Sequence, residues 1–250
     1  MKLTFLDRLT GTLEPITAQA GDVLRCAAFL PPATETLLRA RVLVTGDLVG
    51  RVLEDFHGIQ VLLAVIAADT NVAALQSDLA VRPAAGVFPS LAEAHAYLGP
   101  RLDIAVTTAD ARGTTPAGLA ATVRVERISG HATTDEFDPL TLRMGLMSVD
   151  YSATLQLSHA LLVSCHARLE RWRRRLAEWS HHPSHPIPSL WRASLRSAFD
   201  DDLDVSRALS LLTELQDAEN VDPGAKFEAF AYADRVLALD LMAQLGRARC

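Results

Sequence analysis

Residues 137–170, FDPLTLRMGLMSVDYSATLQLSHALLVSCHARLE, separate two kinds of sequence in this 250-residue chain. Asp138-Pro139 has the form of a helix start: an acceptor side chain, then a proline whose missing N–H costs nothing in the first turn. Apolar residues continue at helical spacing to Leu146, a polar elbow follows at 148–152, and a long second helix is expected from about Thr154. Upstream of this stretch strands alternate with helices. Downstream of it the pattern is helical only.

Working outward toward the N-terminus, residues 2–20 alternate weakly around Gly11 and Pro15, which suggests a short hairpin or edge strands. Residues 23–29, VLRCAAF, read as a buried parallel strand. A helical stripe follows to about Phe56, with Thr34 or Thr36 as its cap and Gly58 as its stop. Residues 59–67, IQVLLAVIA, form a second central strand, and strand, helix and strand in that order make a right-handed βαβ unit. A short helix at 71–79, a brief strand at 86–88, a Ser90-capped helix at 91–98 and strands at 102–106 and 121–128 complete this part.

Toward the C-terminus, the long helix runs to about Ser180 and carries Arg168, Arg171, Arg173, Arg174 and Arg175. A proline-broken linker at 181–186 precedes a helix at 189–198. Acidic residues 200–204 stand before a helix at 205–220, and a last helix spans 226–245. The expected fold is α/β, a Rossmann-like parallel sheet over residues 1–136, followed by an all-helical bundle over residues 137–250.

The net charge of −6 gives no overall basic footprint, so a nucleic-acid partner would need a local patch. Three cysteines without disulfide spacing, and an N-terminus without a charged segment leading into an apolar run, fit a reduced cytoplasmic protein. No apolar run approaches the roughly 20 residues that span a bilayer, so no membrane association is expected. Neither GxGxxG nor GxxxxGK[ST] is present, which argues against a simple dinucleotide enzyme or a P-loop NTPase.

Candidate chemistry has to be weighed against plainer readings. The carboxylates at 200–204 suit the positive end of a helix better than a metal ion. His181, His182 and His185 lie in a linker with no cysteine nearby, and a solvated linker accounts for them. Ser164, Cys165 and His166 are sequence neighbours, which on a helix point about 100° apart and form no nucleophile–base pair. Arg168, Arg171 and Arg175 share a helix face that is solvated by default and could meet RNA.

Four segments resemble cysteinyl-tRNA synthetases. FDPLTLR at 137–143 is similar to that family's YDPEALR, and LMSVDYS at 146–152 to its LLSAHYRS. LQLS at 155–158 resembles LDFS, and FDDDLD at 199–204 with Ala208-Leu209 resembles MDDDLNTPEAL. The same segments fit the related ligase that joins cysteine to an aminosugar in mycothiol synthesis. More weakly, Ala40-Arg41 and Asp47-Leu48 match the helix behind the HIGH signature, residues 65–71 a strand ending in TDIDD, and residues 125–131 the KMSKS loop.

The resemblance implies a class I synthetase-like fold with a cleft for ATP, an aminoacyl-adenylate or a tRNA acceptor end. The implied ligand-bearing positions are Thr36, Arg39, Arg41, Asp69, Arg127 and Ser129. The departures are as informative. Thr36 and Arg39 replace the HIGH histidines, Leu38 replaces the glycine that admits adenine, and Gly130 replaces a KMSKS lysine that would stabilise pyrophosphate. Cys26 stands alone near the position of the first zinc cysteine, so ATP remains open as a ligand and zinc is not expected. The reading is a synthetase-like paralog without autonomous tRNA charging. The alternatives are a cysteine ligase or transferase of altered chemistry and an oligomeric accessory subunit, the last carried by apolar faces at Phe227, Phe230, Tyr232 and Val236.

Overall fold

The computed structural model describes residues 3–7, 12–31, 35–68, 72–111, 118–130 and 132–246. A five-stranded parallel sheet forms its centre, built from β3 (Val23–Leu30), β4 (Gln60–Ala67), β5 (Gly86–Phe88), β6 (Ile104–Thr108) and β7 (Ala121–Val125). The strand order is β5-β4-β3-β6-β7. The chain therefore builds outward from β3 in one direction, then crosses back and builds in the other. β3 reads as an uninterrupted apolar run because both its edges are paired, to β4 along its whole length and to β6 at Cys26, Ala27 and Ala28.

Alternation along the strands divides the core. Cys26, Ala28, Val65, Ile104, Val106 and Val123 point into the main core. That core continues without a break into the helical half, where Trp172, Leu195, Leu212 and Phe230 belong to it. Ala27, Phe29, Ala64 and Ala105 face the other way and form a small second core, under α3 (Leu91–Leu98). Ser90 caps α3 as expected, its Oγ accepting from the Glu93 N–H.

The connection between β3 and β4 is α1 (Thr36–Arg51), which passes into a π-helical turn, Val52–Phe56. Glu35 occupies the cap position without a side-chain cap bond, so Thr36 is the first helical residue rather than a cap, and Thr34 lies outside the described residues. The expected N-terminal hairpin forms from β1 (Thr4–Asp7) and β2 (Thr12–Pro15). A bridge from Thr4 to Asp201 ties it to the helical half.

Between α1 and the bundle come α2 (Val72–Asp78) and α4 (Pro139–Leu146), the latter capped by the Asp138 carboxylate on the Leu140 N–H. Past the elbow the expectation of helices only is corrected. Leu155 and Gln156 form a short strand, β9, parallel to β8 (Ile128–Ser129). The long helix, α5 (His159–Trp179), starts later than Thr154, with Ser158 as its cap accepting from the Leu161 N–H. Backbone groups at 155–157 are held by Arg127 and Ser129 carbonyls instead, so tertiary pairing overrides the helical period.

Helices α6 (Ser189–Asp200), α7 (Val205–Asp217) and α8 (Pro223–Leu237) close the bundle. The last helix is shorter than expected: Ala238 adopts φ 51°, and Asp234 accepts from the Leu239 and Leu241 N–H groups. The faces proposed for oligomerisation are not free. Phe230 and Val236 are fully buried, and Phe227 and Tyr232 pack on the main core. Among the described residues no helix is long and apolar enough to cross a membrane.

Candidate functional site

In an open parallel sheet, ligands bind outside the carboxyl ends of the strands where the strand order reverses. Here that point lies between β3 and β6. β3 ends at Leu30, α1 begins at Thr36, and β6 ends at Thr107-Thr108. An apolar cavity of about 170 Å³ opens beside it, lined by Phe29, Leu30, Pro31, Ile66, Ala67 and Pro89.

Thr107 and Arg124 stand out along this edge. They are register partners on the β6–β7 ladder, so both side chains project from the same face. Thr107 is fully buried, yet among the described residues its Oγ1 has no hydrogen-bond partner, and neither does the buried Nε of Arg124. Buried polar atoms in proteins are nearly always paired, and an unpaired one costs about 1–3 kcal/mol. The two atoms lie on neighbouring strands near the carboxyl edge of the sheet.

The expected site residues divide. Thr36 is exposed on the first turn of α1, and Arg39 is half-buried on the same turn, on the helix that follows β3. Arg127 is exposed just past β7. Ser129 is half-buried in β8 and donates to the Leu155 carbonyl at 3.4 Å. Asp69 lies outside the described residues.

Arg41 does not face the cleft. Its side chain is buried and donates to the carbonyls of Leu146, Glu126, Ala153 and Asp150. Burial brings this guanidinium down to about 10, against the pull of Asp150 and Glu126, so it stays charged at neutral pH. Four of its five N–H groups are thereby taken. Arg41 ties α1 to the elbow and to the loop that carries Arg127.

Two departures from the synthetase signatures have packing consequences. Leu38 is partly buried against the main core. Gly130 has φ 84°, and a Cβ there would lie 2.7 Å from the Leu157 carbonyl oxygen. The position can carry no side chain while β8 pairs with β9, so a lysine has no place at Gly130.

Cys26 sits in mid-strand rather than at the strand end. It is fully buried, and desolvation, with Asp103 adding to it, pushes its thiol up to about 12. Among the described residues no cluster of three or more His, Cys, Asp or Glu could hold a metal.

The acidic run at 200–204 is shared out among partners. Asp200 accepts from His57 and Arg196, and Asp202 from the Tyr151 hydroxyl. Asp204 caps α7 on the Arg207 N–H. Only this last carboxylate plays the helix-capping part expected of the run.

No protein-family model matches the chain. Three curated proteins do, each named L-cysteine:1D-myo-inositol 2-amino-2-deoxy-alpha-D-glucopyranoside ligase. That of Salinispora arenicola is 38% identical over 90 residues, which cover 36% of this chain and 21% of the relative. That of Salinispora tropica is 33% identical over 90 residues, with the same coverage of 36% and 21%. That of Thermobifida fusca is 35% identical over 81 residues, 32% of this chain and 19% of the relative. Over that stretch the chain is homologous to cysteine ligases of a cysteinyl-tRNA synthetase-like family. The match spans about a fifth of the relatives' own length, so their activity is not transferred with the homology.

Proposed function

We propose that this chain is a cysteine-ligase-like protein that holds a nucleotide, or an aminoacyl group activated by one, at the carboxyl edge of its parallel sheet, and that it does not charge tRNA on its own. The observation that carries the reading is the paired want of partners at Thr107 Oγ1 and Arg124 Nε. Arg124 offers a cation and Thr107 a hydroxyl, which together suit a phosphate or carboxylate oxygen. The first turn of α1, with Thr36 and Arg39, opens the helix that follows β3, and a helix N-terminus favours negative charge. The apolar cavity beside Phe29 and Ile66 suits a base or an aliphatic side chain.

The loss of autonomous charging rests on Leu38 and Gly130. Pyrophosphate departure needs cationic groups aimed at the developing charge, and the KMSKS-like loop offers Arg127 for that part but no second cation at Gly130. Amino-acid-dependent ATP–pyrophosphate exchange is the test. Exchange at the rate of an ordinary synthetase would refute the proposal; binding of ATP or an aminoacyl-adenylate analogue without such exchange would support it.

A second reading is an ATP-dependent or aminoacyl-tRNA-dependent cysteine ligase or transferase of altered chemistry. The names of the relatives favour it. Incubation with L-cysteine, ATP and the aminosugar that the relatives are named for separates the two, because only the second reading yields an amide product.

A further inference from the structure

A second cavity lies away from the carboxyl edge of the sheet, between the elbow, α5 and α7. Its volume is about 430 Å³, within the range of small-molecule sites. No carboxylate lines it. Arg168 stands in its wall, half-buried, and among the described residues no group accepts a hydrogen bond or an ion pair from its guanidinium. Two other partly or fully buried arginines of the bundle are tied, Arg173 to Asp138 and the Leu239 carbonyl and Arg196 to Asp200. A half-buried guanidinium facing a cavity without a counter-charge is an anion site in waiting.

The hydroxyls around the cavity fall into two sets. Ser164 lies one helical turn before Arg168 on the same face of α5. Its side chain and those of Thr154 and Gln156 have no partner among the described residues, so they can donate as well as accept. Ser148 already donates to the Gly145 carbonyl, Ser206 to Asp204 and Ser210 to the Ser206 carbonyl. Their protons are spent and their lone pairs remain, so these three offer acceptors. Donors cluster with the cation, and acceptors lie on the elbow and α7.

We propose that this cavity binds a small phosphate monoester bearing free hydroxyl groups, with the phosphate on Arg168 and Ser164 and the hydroxyls on the serine oxygens. Phosphate fits better than a lone carboxylate because the guanidinium fork can engage two of its oxygens while Ser164 reaches a third. The proposal is independent of the cleft at the sheet edge and shares no residue with it.

Isothermal titration of the full chain with glucose 6-phosphate, glycerol 3-phosphate, inorganic phosphate and glucose is the test. Saturable binding of at least one ester, tighter than that of inorganic phosphate and absent for glucose, is expected. Arg168→Gln should weaken it about tenfold or more, the usual consequence of losing a charged hydrogen bond. Ser164→Asp, a change at an exposed position that folding tolerates, should weaken it similarly by repelling the anion. No saturable heat with either ester, or heat unchanged by both variants, would overturn the proposal. So would equal affinity for inorganic phosphate, or an RNA duplex that binds through Arg168 where the esters do not.

Discussion

Arg143 donates from Nη2 to Asp47 Oδ2 at 2.6 Å, with both side chains completely buried. Around this pair the α/β half and the bundle are joined. Arg143 also donates to the carbonyls of Leu237 and Leu79. Asp47 also accepts from the Arg82 N–H and from Arg51 Nε. Burial lowers the affinity of Arg143 for its proton, and Asp47 holds that proton in place. Two side chains on helices far apart in sequence thus satisfy one another where neither could stand alone.

Removing one member leaves the other charge buried. Arg143→Met should cost about 3–5 kcal/mol, read as a drop in the urea midpoint with little change in slope. Asp47→Asn should be milder, because the amide keeps one acceptor for the surrounding N–H groups.

Arg41 offers a sharper separation of structural from ligand roles. A lysine keeps the charge, but a single ammonium cannot satisfy carbonyls of four residues arranged around a planar fork. Arg41→Lys should lose about 2 kcal/mol or more of stability, measured by chemical denaturation. Were Arg41 instead a ligand contact, the variant would keep its stability and lose affinity only.

Much of this was legible in the sequence. The apolar run of β3, the Ser90 cap, the Asp138-Pro139 start and the acidic cap of α7 each have a local cause, so each could be read locally. Arg41 was picked out as a ligand position because residue type cannot tell a guanidinium facing a cleft from one facing carbonyls more than 80 residues away in the chain. Leu155-Gln156 read as helix because their strand partner, Ile128-Ser129, is distant in sequence. Thr107 and Arg124 escaped notice because an unpaired atom is a property of packing rather than of pattern.

Gly130 tests whether the KMSKS-like loop could be restored. Its φ of 84° and the nearby Leu157 oxygen leave no room for a side chain. Gly130→Ala should cost about 1–3 kcal/mol and loosen the β8–β9 pair, seen as faster amide exchange at Leu155 and Leu157. Gly130→Lys should be at least as destabilising and should not produce pyrophosphate exchange.

Asp138 gives the chain an acid-sensitive joint. Burial pushes its carboxyl up, but the Leu140 N–H and the Arg173 guanidinium outweigh that and hold it below the ordinary carboxylate range. The folded chain therefore binds this proton less readily than the unfolded chain. Its stabilising contribution is complete above the unfolded value near 3.8 and is lost as pH falls through the lower folded one. Asp138→Asn preserves the cap but removes the titration. The stability lost on going from about pH 7 to about pH 3 should be smaller in the variant than in the parent, as measured by urea midpoints.

The cleft at the carboxyl edge of the sheet is tested most directly by titrating the purified chain with a non-hydrolysable cysteinyl-adenylate analogue and following thermal stability. Saturating analogue should stabilise the chain by about 2 kcal/mol or more, and Thr107→Val should abolish most of that gain while leaving the unliganded melting temperature unchanged or raised. No stabilisation, or a gain that Thr107→Val leaves intact, would contradict it.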